Sequence, residues 1–132
     1  MRPPIDMADA LATWLRTQGH DAVPTPLPDG FESRLPITLL TTLGGQRTWP
    51  VLDTHRLQVE TYGETIADAL DEARAVFAAI ESINDEGPVI GGVQSYGAET
   101  GGLPAESDDP NHPDVPVAAF VAQVSCRALE TE

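Results

Sequence analysis

THRLQVETYGETIADALDEARAVFAAIESIN, residues 54–84, changes its period in mid-stretch. Over 54–63, Leu57 and Val59 alternate with Arg56, Gln58 and Glu60. A repeat of two belongs to a strand with one buried side. From Ile66 onward, Leu70, Ala73, Phe77, Ile80 and Asn84 return at three and four residues, the spacing of one helix face. Thr65, with Asp68 three residues on, stands where such a helix is capped. Asp71, Glu72, Arg74 and Glu81 fill the polar face. A half-buried strand followed by an amphipathic helix is the unit of a two-layer fold.

The flanking segments extend this pattern. Met7, Leu11 and Leu15, flanked by Ala8 and Trp14, predict a first helix over residues 5–19. Asp6 or Asp9 suits its start, Arg16 its end, and Gly19 is a natural stop. A short edge strand is expected near Val23. In LPITLLTTLGG, residues 35–45, Leu35, Ile37, Leu39 and Leu43 share one face, with Thr38 and Thr42 on the other. Residues 44–53 then read as an extended hairpin tip. PVIGGVQSYG, residues 88–97, reads as a strand with a bulge at Gly91-Gly92. Residues 99–116 read as a long loop, and 117–129 as a last strand with Phe120, Ala122, Val124 and Cys126 on the core side. The predicted fold is α+β, with two helices packed on one face of a mostly antiparallel four- to five-stranded sheet. One domain spans residues 1–132.

The 132 residues are 41% hydrophobic and only 5% aromatic, so the core should be built from Ala, Val, Leu and Ile. Twenty-one acids against seven Lys and Arg give a net charge of −14. A surface this acidic repels phosphate backbones, which argues against nucleic-acid affinity but not against standing beside DNA. No signal peptide or membrane-spanning run is evident, so a soluble intracellular protein is expected. Cys126 is alone, which excludes an intrachain disulfide, and its place among core residues reads as structural.

Dinucleotide and P-loop fingerprints, a nucleophile elbow and the zinc-protease HExxH are all missing. His55 lies two residues from Asp53, on the same strand face, but no strained nucleophile position accompanies them. His20 reads as an exposed residue after the first helix. SDDPNHPDVP, residues 107–116, gathers Asp108, Asp109, Asn111, His112 and Asp114 between three prolines. It lacks the calcium-loop spacing and its bidentate Glu, and the prolines favour a semi-rigid arm over a metal-wrapping turn. Neither a metal nor a cofactor is expected. In RTWPV, residues 47–51, Trp49, Pro50 and Val51 sit where polar residues belong. They are either an interface anchor or a cover over the open end of the core.

The order of ADALATWLRTQG, a Pro-rich entry, VETYGETIADALDEARAVFAAI, PVIGGVQSYGAETGGLPAESDDP and AAFVAQVSCRAL resembles the tail terminator proteins of long-tailed (siphovirus-type) phages of actinobacteria. The resemblance covers nearly the whole chain and rests on order rather than on an invariant motif. It implies a virion structural protein without catalytic residues, assembled in the host cytoplasm. Such proteins form a ring, usually of six copies, that caps the completed tail tube, stops its growth and joins it to the head-tail connector. DNA passes through the lumen without specific binding. The interface would then be carried by Arg47, Trp49, Pro50 and Val51 on the tip and by Asp108, Asp109 and Asp114 on the arm. Arg34, Arg47, Arg56 and Arg127 would pair with acids between subunits. The proline- and aspartate-rich character of residues 104–116 departs from that family. A neck adaptor of the same class, or a small metal-dependent hydrolase using His112 and its aspartates, would be the competing readings.

Overall fold

The computed structural model describes residues 4–48 and 52–127. Asp6 opens α1 (Met7–Thr17), its side chain accepting the Asp9 amide at 3.2 Å. Met7, Leu11 and Leu15 are buried, as their spacing predicts. Thr65 caps α2 (Ile66–Glu81) in the same way, accepting the Asp68 amide at 3.1 Å. The buried line of α2 is Ala69, Ala73, Val76 and Ile80, while Ile66, Leu70 and Phe77 flank it half-buried. The predicted stripe is therefore rotated slightly. Alanines sit where the helix lies closest to the sheet, with Ala69 and Ala73 against Ala118, and longer side chains lean in from the flanks. A four-residue helix, α3 (Ile83–Glu86), follows and stops at Gly87, whose φ is 53°.

The sheet corrects the expected four to five strands. It has seven, curled into a half-barrel. These are β1 (Ala22–Pro24), β2 (Ile37–Thr48), β3 (Leu52–Tyr62), β4 (Val89–Ile90), β5 (Val93–Thr100), β6 (Ala105–Ser107) and β7 (Val117–Arg127). Their order across the sheet is β1-β2-β3-β7-β5-β4, with β6 also paired to β7. Among the described residues only the β1–β2 pair is parallel.

Two misread signals account for the extra strands. Gly91 and Gly92 have φ of 62° and 79°, which makes them a tight two-residue hairpin between β4 and β5, not a bulge. Residues 99–116 are not one loop either. Glu99 and Thr100 end β5, Gly101 donates to the Val121 carbonyl at 2.7 Å, and β6 then continues along the same side of β7. The expected tip at 44–53 is likewise mostly ladder, since pairing runs on to Thr48 opposite Leu52. One irregularity breaks that ladder, between Thr42 and Gly44, where Leu43 is the extra residue.

Side chains alternate across a strand, so neighbours such as Leu39 and Leu40 face opposite ways. On the helix side, Leu40, Leu57, Val59, Phe120, Ala122, Val124 and Cys126 pack with α1, α2 and α3 in one core. On the other side, Phe31, Ile37, Leu39, Tyr62 and Val117 form a second cluster, joined by Leu27, Leu35 and Val115 from the connecting loops. The start of β2 is therefore buried on both faces, and the expected grouping of Leu43 with Ile37 and Leu39 gives way, leaving Leu43 exposed. His20 is not a free cap residue. Its Nδ1 lies 3.0 Å from Glu72 Oε2, tying the end of α1 to α2.

The two rims of the sheet differ. Asn84 of α3 donates to the Ala98 carbonyl at 2.7 Å and accepts the Ala98 amide at 2.9 Å, so one side chain meets both polar groups of that backbone unit. On the opposite rim β1 pairs only with Thr38–Leu40, and the Thr25 amide adds one bond to the Leu40 carbonyl.

Candidate functional site

β3 carries a polar constellation at each end. At its start Asp53 lies opposite Arg47 of β2, and both carboxylate oxygens are engaged, Nε to Oδ1 at 2.5 Å and Nη2 to Oδ2 at 2.7 Å. These bonds hold the Asp53 carboxyl below the usual carboxylate range. His55, two residues on, shares that face and is only 8% exposed. Its Nε2 is buried without a hydrogen-bond partner, and burial lowers its pKa. Cys126 stands opposite Asp53 on β7.

Cysteine, histidine and aspartate thus meet at one end of the sheet, but without the arrangement of a nucleophile. The described bonds of Asp53 go to Arg47 rather than to His55. Burial pushes the Cys126 thiol up to about 11, away from thiolate. Cys126 is expected to resist a thiol reagent at pH 8 in the native protein and to react within minutes once denaturant is added. Absorbance of the released thiolate reads this directly, and fast native labelling would contradict it.

At the other end of β3 the Asp109 carboxylate is a hub. Oδ2 accepts the Tyr62 hydroxyl at 2.7 Å and lies 2.9 Å from His112 Nδ1, while Oδ1 accepts the Asn111 amide at 2.9 Å. Phe31 packs edge-on to both rings, with centroids 4.9 Å from His112 and 5.5 Å from Tyr62. The bond with His112, and then that with Tyr62, holds the Asp109 carboxyl below its ordinary 3.8. Burial, with the Asp109 charge behind it, raises Glu60. The SDDPNHPDVP segment is therefore fastened to the sheet through one aspartate. Among the described residues no three His, Cys, Asp or Glu side chains gather in a group that could hold a metal ion.

A depressed carboxyl contributes stability that is complete above the unfolded-state value and is lost as pH falls through the folded one. Asp109 is such a group, so the urea midpoint should fall as pH drops from 5 through 3.8 and below. In Asp109→Asn that dependence should flatten. Parallel pH profiles of parent and variant would show the prediction wrong.

Of the seven residues predicted to carry an interface, the four that are described are dispersed. Trp49, Pro50 and Val51 lie outside the described residues. Arg47 is bound to Asp53, Asp109 is the half-buried hub, and Asp108 and Asp114 are exposed nearby. Residues 108–116 and 44–48 are thus at opposite ends of β3, since Tyr62 meets the first and Asp53 the second. Neither Tyr62 as partner of Asp109 nor Asn84 as a rim cap was expected from sequence. The only signal for Tyr62 is an aromatic at the strand-to-helix joint. Among the described residues no helix is long and apolar enough to cross a membrane. The sequence matches no protein-family model, and no curated protein matches it.

Proposed function

We propose that the chain is a self-assembling structural subunit of the phage tail terminator type, which rings the end of a tail tube, stops its growth and meets the head-tail connector. The observation that carries this reading is the β2–β3 hairpin. Its outer part, from Thr42 to Gln46, is exposed on β2, and Arg47 braces it by its bonds to Asp53. A stiff, exposed edge ladder on a packed α/β body suits a part that meets neighbouring subunits. The order of helices and strands that carried the resemblance is consistent with it. The buried thiol and the occupied Asp53 favour assembly over nucleophilic catalysis.

The test is rotational averaging of electron micrographs, with purified protein alone and after addition to polymerising tail tube subunits of an actinobacterial siphovirus. Six-fold rings, and shorter tubes bearing a cap at one end, are the expected results. Tubes of unchanged length with bare ends would end the terminator reading.

A further inference from the structure

The rims of the sheet are finished unequally. One is closed: β4 pairs with Val93 and Gln94, the Ser95 amide bonds the Pro88 carbonyl at 3.1 Å, and Asn84 occupies Ala98. The other stays open past β1. From Thr42 to Thr48 no described strand pairs with the outer side of β2, although its inner side is paired with β3 at every residue but Leu43. Thr42, Leu43, Gly44, Gly45, Gln46 and Thr48 are exposed. An edge of this kind presents backbone donors and acceptors at ladder spacing, ready for another strand.

Charge indicates which strand. The chain carries 21 acids, yet residues 33–52 contain none, and this is its longest acid-free stretch. Two copies at −14 each repel over most of their surfaces. They can approach closely where that repulsion is absent. Proline, one guard of an exposed edge, is missing from residues 42–48, and the irregularity at Leu43 leaves Gly44 to Thr48 as a regular ladder. The closed rim has no comparable strand to offer, so a second copy brings the same open edge.

We infer that β2 of one copy pairs antiparallel with β2 of a second copy over residues 42–48, about a two-fold axis, and joins two seven-stranded sheets into one. An antiparallel pair of identical edges satisfies both strands at once and is closed by its own symmetry. The contact does not depend on the ring reading, because it pairs free subunits.

Sedimentation equilibrium of the full chain tests it, with Gln46→Glu, Leu43→Glu and Gln46→Lys compared with the parent. The parent mass should be an even multiple of 14.1 kDa. Either glutamate variant places like charges on facing edges and should halve the mass while leaving the circular dichroism spectrum unchanged. Two exposed positions are used so that a folding failure at one leaves the other readable. An equal mixture of Gln46→Glu and Gln46→Lys should regain the parent mass. In the parent, amides 44–48 should exchange at least about tenfold more slowly than in Gln46→Glu. A monomeric parent, or a mass untouched by both glutamates, overturns the pairing. A six-fold ring with unchanged mass in both variants would overturn it while leaving the terminator reading standing. A dimer that dissociates on substitution but never caps a tube would do the reverse.

Discussion

Asp109→Ala should lower the thermal midpoint by roughly 5–10 °C, the equivalent of about 2–3 kcal/mol in a domain of this size. Tyr62 is only 1% exposed. Its hydroxyl donates to Asp109 at 2.7 Å, and with the carboxylate gone it stays buried without a partner. Leaving a buried polar group unpaired costs about 1–3 kcal/mol. Loss of the Asn111 and His112 bonds then frees the loop that covers the second cluster. The double variant Tyr62→Phe with Asp109→Ala separates this account from general damage. Removing both partners leaves nothing unsatisfied, so the double variant should be no less stable than Asp109→Ala alone. Differential scanning calorimetry of Asp109→Ala, Tyr62→Phe and the double variant gives the comparison. Simple additivity would show that the bond to Tyr62 is not what fastens the loop.

Leu57→Ala should cost about 2–5 kcal/mol, whereas Leu43→Ala should change folding stability by less than about 0.5 kcal/mol. The two leucines lie on adjacent strands near the ladder irregularity, with Leu57 paired to Thr42. Leu57 is fully buried in the helix-side core, and Ala122 stands opposite it on β7. Truncation there leaves a space that strands paired on both sides cannot collapse to fill. Leu43 is the extra residue of the irregularity and is 42% exposed. Urea denaturation of a Gln46→Glu background, in which edge pairing is suppressed, measures both changes without a contribution from association. Equal losses at the two positions would contradict the assignment of the core.

The helices were legible in the sequence because one packed face imposes one period. Met7, Leu11 and Leu15 show it, as do Ala73 and Ile80. The last strand was legible for the same reason, and Phe120, Ala122, Val124 and Cys126 all reach the main core. The start of β2 was not, because loops cover its second face. A strand buried on both sides loses alternation, and the adjacent Leu39 and Leu40 are the trace of that. Gly91-Gly92 suits a turn as well as a bulge, and only the pairing of Ile90 with Val93 decides between them. The aspartate that fastens the loop could not be singled out from its neighbours. Its partner Tyr62 is 47 residues away, a separation that no local pattern reports.

Asn84 can also be viewed in terms of valence. A sheet with two open rims is bivalent, and strand addition at both would continue from copy to copy without end. By holding both polar groups of Ala98, a single amide side chain continues the cover begun by β4 and the Ser95 bond, and together they remove one of those two sites. What remains is a monovalent subunit, whose edge-to-edge association terminates at the pair. The short helix after α2 thereby shares with β4 the separation of a finite assembly from a growing fibre.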